Sequence, residues 1–212
     1  MSMQDDKTIT EDLAAIKLRR RSGNENFHED NVSVGKNLLS YWQWSASDLL
    51  GNTERGRLAE YIIAIALDMA GGVRSGWEAY DLQTSSGIRV EVKASAYVQT
   101  WGQKNLSKII FGIRPTRAWD PITNVFSSDC QRQAQVYVFA LLTERNQANV
   151  DPLNLMQWLF YVLPTSVLNE RAPSQKTISL ASLLRLGAAE VGYRDLRDAV
   201  ERASLTIPVE CK

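Results

Sequence analysis

Histidine and cysteine are nearly missing from this chain: one His and two Cys among 212 residues. His28, Cys130 and Cys211 are too few for a four-ligand zinc site, and two cysteines do not make a disulfide framework. Long apolar runs are missing too. A membrane span needs roughly 18 apolar residues, whereas the longest candidate, "YIIAIALDMA", is short and interrupted by Asp68. The opening "MSMQDDKTITEDL" is polar and acidic, unlike a secretory signal. No Gly-rich phosphate loop, GxSxG or His-based dyad is present. These absences predict a reduced, cytoplasmic protein with no membrane partner. An excess of positive charge is also lacking, with 24 Lys and Arg against 24 Asp and Glu. That balance argues against tight non-specific nucleic-acid binding as the main task, because such affinity scales with the phosphates neutralised.

What is present is organised. Hydrophobic residues make up 44% of the chain, enough for a sizeable core, and the length fits one domain with an appendage. Residues 1–32 read as a polar helical or flexible arm, and 33–212 as a single domain. Leu38, Leu39, Trp42 and Leu49 recur at roughly helical spacing before a Gly51-Asn52 break. The periodicity predicts a helix over 53–69, with Leu58, Ile62, Ile65 and Met69 on one stripe, Glu60 at its border, and Gly71-Gly72 as its stop. "WEAYDLQT" and "IRVEVKASA", joined by "SSG", predict a hairpin. "KIIFGIRPT", "AQVYVFALLTE" and "QWLFYVLPT" predict three more strands, and short helical patterns fill the C-terminal part. This order predicts an α/β fold around a mixed central β-sheet flanked by helices.

Charge is unevenly spread. Between Val92 and Trp119 there is no Asp or Glu, while Lys93, Lys104, Lys108, Arg114 and Arg117 all fall there. Just before that stretch, Asp81 ends one predicted strand and Glu91 and Lys93 sit two apart in its partner. Positions two apart in a strand share a face. Asp81 and Glu91 would thus meet at one sheet edge, with the carbonyl of Val92 as a third oxygen. Such donors suit Mg²⁺ or Mn²⁺, which prefer oxygen ligands and keep several waters. Lys93 could orient or deprotonate a water or stabilise charge on a phosphate, and Glu60 could complete the shell. The same residues also admit a plain structural reading: a same-face ion pair on an edge strand, with Asp81 as a turn residue.

The series "RGRLAEYIIA" with Glu60, then Asp81, then "RVEVKAS" with Glu91 and Lys93 resembles the restriction-endonuclease-like, or PD-(D/E)xK, nuclease superfamily. The resemblance covers about residues 53–140, and Tyr80 stands where that family often has Pro. It implies a mixed four-stranded core sheet flanked by helices, with "AQVYVFALL" as the fourth strand. It further implies Mg²⁺ bound by Asp81 and Glu91, a catalytic Lys93, and an assisting Glu60. The activity expected from it is metal-dependent phosphodiester hydrolysis, with DNA as substrate; the alternative is a binding module that keeps the fold without turnover.

Ser95 and Gln99, downstream of Lys93, are candidates to face the substrate, and Lys104, Lys108, Arg114 and Arg117 to contact its backbone. Trp101 and Trp119 flank the basic stretch and read either as lids on the core, the commoner fate of Trp, or as rings that stack on exposed bases. A homodimer, through the Leu- and Trp-rich segment 38–49, or an accessory protein partner is compatible with the pattern.

Overall fold

A computed structural model describes residues 16–205 apart from 75, 77, 121 and 122. In chain order its strands are β1 (Asn26–Glu29), β2 (Val32–Asn37), β3 (Leu82–Gln83), β4 (Arg89–Ala96), β5 (Ile110–Gly112), β6 (Thr116–Asp120), β7 (Val125–Gln131), β8 (Val136–Leu142), β9 (Trp158–Pro164), β10 (Thr177–Ser179) and β11 (Ala189–Val191). Its helices are α1 (Leu38–Ala46), α2 (Asn52–Ala66), α3 (Thr165–Arg171), α4 (Leu180–Arg185) and α5 (Leu196–Ser204).

Five strands form the central sheet, in the order β11-β9-β8-β4-β3. β4 and β8 run parallel, and the other neighbours are antiparallel, so the sheet is mixed as expected. "VYVFALL" is buried at all seven positions because β8 lies in the middle, covered on both faces. Its even-numbered residues join Val90, Val92, Phe160 and Val162 beneath α2 and α5. Its odd-numbered residues, Tyr137, Phe139 and Leu141, pack on the opposite face with Phe111, Leu168, Ile178 and Leu183. The sheet therefore has helices on both faces, the α/β architecture anticipated from the element order.

Local differences have physical causes. The first long helix ends at Ala66, with Leu67 as its cap, instead of reaching Met69, because Asp68 takes a left-handed conformation (φ 58°) that breaks the ladder before the glycines. Of the described residues of "WEAYDLQT", only Leu82–Gln83 is strand; those before it bend away, leaving that edge of β4 without a strand partner beyond this point. β5 forms as a short strand but pairs with β10 outside the central sheet. In the polar arm, residues 1–15 lie outside the described residues, and Asn26–Asn37 folds as the β1–β2 hairpin with Asp30 and Asn31 at positive φ in its turn. β6 and β7 pair as a separate two-stranded ribbon. Trp101 is 51% exposed and does not cover the core.

Candidate active site

The site forms where the short strand β3 ends and the long strand β4 continues. Leu82 pairs with Val90 and Gln83 with Arg89, so the register brings Asp81 to the level of Glu91. The Asp81 N–H donates to the Val90 carbonyl (3.1 Å), and the Asp81 Oδ2 accepts the Val92 N–H (2.7 Å). On the other side of β4, the Arg89 carbonyl accepts from Gln135 N, next to β8. Backbone groups alternate sides along a strand. The carbonyl of Val92 therefore points to the β3 side, beyond the last β3 pair, beside the Asp81 carboxylate.

Glu91 and Lys93 point away from the Val90/Val92 core onto the other face, where the Lys93 Nζ donates to Glu91 Oε1 at 2.5 Å. Both side chains are partly buried, at 20% and 32% exposure. Tyr137 of β8 lies opposite Glu91 in the register and is almost fully buried. Burial, and then the Glu91 carboxylate, push its phenol above the ordinary tyrosine value. Asp81 feels the same surroundings. Burial first, and the Glu91 charge second, push its carboxyl up to about 6, against the opposing pull of Lys93 and the Val92 N–H. Two carboxylates thus lie near each other in half-buried surroundings, where holding both charges is costly.

Glu60 comes from the far side of the edge. The helical rise of α2 brings Arg57, Glu60, Tyr61 and Ala64 to one wall of a cleft of about 450 Å³, which Asp81 and Leu82 close on the other side. Glu60 acts electrostatically on Asp81, but both its oxygens are held by Arg74, one through Nε and the other through Nη2 at 3.0 Å. Arg20 reaches the cleft floor and donates to the carbonyls of Ala70 (3.2 Å) and Gly71 (2.9 Å). Among the described residues, no three His, Cys, Asp or Glu side chains converge as a metal-ligating group. The set at hand is two carboxylates and one carbonyl.

A profile of the bacteriophage T4 endonuclease IV family matches residues 4–191 of the chain. The chain belongs to that family. No curated protein sequence matches significantly. The T4 endonuclease IV match spans the Asp81–Lys93 edge, the cleft and the whole central sheet, and so makes this a chain of a nuclease family.

The remaining anticipated residues fall into two groups. Lys104, Lys108, Arg114 and Arg117 are exposed, with Arg114 and Arg117 leading into and along the β6–β7 ribbon. Ser95 and Gln99 are buried. The Gln99 side chain accepts from Arg55 Nη1 (3.0 Å) and donates to the Ala96 carbonyl and Ser107 Oγ. Arg55 in turn binds the Leu50 carbonyl and Asn52 Oδ1, so Gln99 ties β4 to the start of α2 instead of facing the cleft. Sequence reasoning missed Arg20, Arg74, Tyr61 and Tyr80 in the cleft. Arg20 lies 54 positions before Arg74 in the numbering, and no local pattern links them. Only Tyr80, adjacent to Asp81, carried a usable signal.

Proposed function

We propose that the protein is a metal-dependent endonuclease that hydrolyses phosphodiester bonds in DNA with a PD-(D/E)xK-type site. The observation that carries this reading is the meeting of Asp81 with the Glu91-Val92-Lys93 segment at the open edge of β4, in a chain of an endonuclease family. The donors suit a hard divalent cation: all are oxygens and two carry charge, and the Asp81 carboxyl, raised first by burial and then by the Glu91 charge, would be relieved by one. Asp81, Glu91 and the Val92 carbonyl would hold Mg²⁺ or Mn²⁺, with water filling the rest of the shell. Such an ion supplies a water of lowered pKa and neutralises charge on the phosphate.

The chain's own groups do the rest. Glu91 fixes the Lys93 ammonium at the edge, where it can orient the attacking water and offset the charge that grows on the phosphate oxygens. The N–H of Val92 holds Asp81 in place, so the carboxylate keeps one orientation without a metal. Glu60 would join this set only after leaving Arg74, and while the pair persists it anchors that arginine beside the cleft. Lys104, Lys108, Arg114 and Arg117 would meet the DNA backbone.

The test is incubation of plasmid, linear and single-stranded DNA, and RNA, with Mg²⁺, Mn²⁺ or EDTA, using wild type and Lys93→Ala together. Metal-dependent cutting that disappears in the variant supports the reading. No cutting by folded wild-type protein on any substrate would replace it with a binding module.

A further inference from the structure

A different part of the molecule has no place in that chemistry. α1, "LLSYWQWSA", holds Leu38, Leu39, Tyr41, Trp42 and Trp44, yet none of its residues is buried. At about 100° per residue these side chains spread over roughly 220° of the helix, with Ser40 and Gln43 on the remaining side. An apolar arc that wide is normally covered by packing. The hairpin leading into it repeats the anomaly: Phe27, Val32 and Val34 are all exposed. A two-stranded hairpin is marginal on its own and requires a covered face. The unit does pack on itself, since Leu39 N donates to the Gly23 carbonyl and Trp42 lies so close to Gly23 that a Cβ there would meet its ring at 3.0 Å. Its outward side chains are left uncovered, with Trp44 84% exposed.

From these observations we infer that the β1–β2 hairpin and α1 form the face on which a second copy of this chain packs. Two features on this surface favour that occupant. Aromatic side chains carry roughly 150–250 Å² each, so the exposed rings and aliphatic groups together present on the order of 800 Å². That is about the share each partner gives to a standard interface, and it exceeds the largest patch of a typical monomer. The charge pattern points the same way. α1 has no charged residue, and from Gly23 to Ala46 a single lysine, Lys36, stands against Glu25, Glu29 and Asp30. A polyanion finds little to hold here, whereas the uncharged α1 meets its own image across a two-fold axis without like-charge repulsion. Because α1 leads directly to α2, the dimer would couple two copies of the helix that carries Glu60.

The experiment is sedimentation equilibrium of the full chain, without metal or DNA, for wild type, Trp44→Glu, Val34→Lys and Lys93→Ala. Wild type and Lys93→Ala should both show twice the chain mass. Trp44→Glu and Val34→Lys should each weaken the dimer by about tenfold or more, as for a buried interface anchor, with far-UV circular dichroism unchanged. Should a variant fail to fold, the wild-type mass decides alone. A wild-type monomer at about 100 μM, where a micromolar complex is saturated, would overturn the inference, as would a dimer indifferent to both substitutions. The measurement needs no cleavage, so it stands or falls apart from the nuclease reading.

Discussion

The Asp81 Oδ2 takes the Val92 N–H at 2.7 Å, in the place where a longer β3 would have offered a backbone carbonyl. A side chain thus finishes the ladder that the strand abandons. This fixes the first carboxylate against the middle residue of the Glu91-Val92-Lys93 segment, and it does so through one hydrogen bond.

Removing the cation beside Glu91 should affect chemistry far more than folding. Lys93→Ala is expected to cut turnover by about 10²-fold or more, the usual range for a positioned proton-transfer or charge-stabilising group. The ion pair is partly exposed, so its loss should change stability by no more than about 1 kcal/mol. Single-turnover cleavage and thermal unfolding, run on the same preparations, check both halves.

Asp81→Asn should stabilise the metal-free fold while abolishing cleavage. The Asp81 carboxyl sits at about 6 in the folded chain, above its ordinary value of 3.8. The folded state therefore binds this proton more tightly than the unfolded state. The stability it contributes is fully present below about pH 4 and is lost as pH rises through about 6. Asparagine keeps the acceptor for Val92 N–H but carries no charge. The variant should gain roughly 1–3 kcal/mol at pH 7–8, and show a flatter stability profile between pH 4 and 6. Urea unfolding across that range, with chelator present, reads the difference.

The β4 motif was legible in the sequence because alternation along a strand is a local rule. Val90 and Val92 had to face the core if Glu91 and Lys93 faced the other way, and they do. The burial of "VYVFALL" followed from its unbroken apolar run, whereas its parallel pairing with β4 did not. What was not legible depended on distant partners. Gln99 looks like a polar residue near the candidate catalytic Lys93, and only the fold shows that Arg55, 44 positions earlier, occupies it. Arg74 holds Glu60 from a bend with no periodicity, and Asp68 ends α2 through a backbone conformation that its side chain does not announce.

Gln99→Ala therefore tests placement. Its amide satisfies a buried arginine, so truncation should cost about 1–3 kcal/mol. DNA affinity measured below the melting transition should remain at the wild-type value. A selective loss of DNA binding at unchanged stability would return Gln99 to the substrate surface.

The exposed cations should behave in the opposite way. Lys104→Ala and Lys108→Ala, each at an exposed position, are expected to leave unfolding unchanged and weaken DNA binding. Each should lower the slope of log affinity against log salt by about 1, if each neutralises one phosphate. Fluorescence anisotropy with labelled DNA over a salt series gives that slope directly.

The proposed chemistry requires Asp81 and Glu91 together to hold a divalent cation at the edge of β4. Titration of Mn²⁺ into wild type, Asp81→Asn, Glu91→Gln and Lys93→Ala, followed by electron paramagnetic resonance, tests it without reference to turnover. Bound Mn²⁺ is expected in wild type and in Lys93→Ala, and at least tenfold weaker binding, about 1.4 kcal/mol or more, in each carboxylate variant. Mn²⁺ binding that is the same in all four proteins would contradict it.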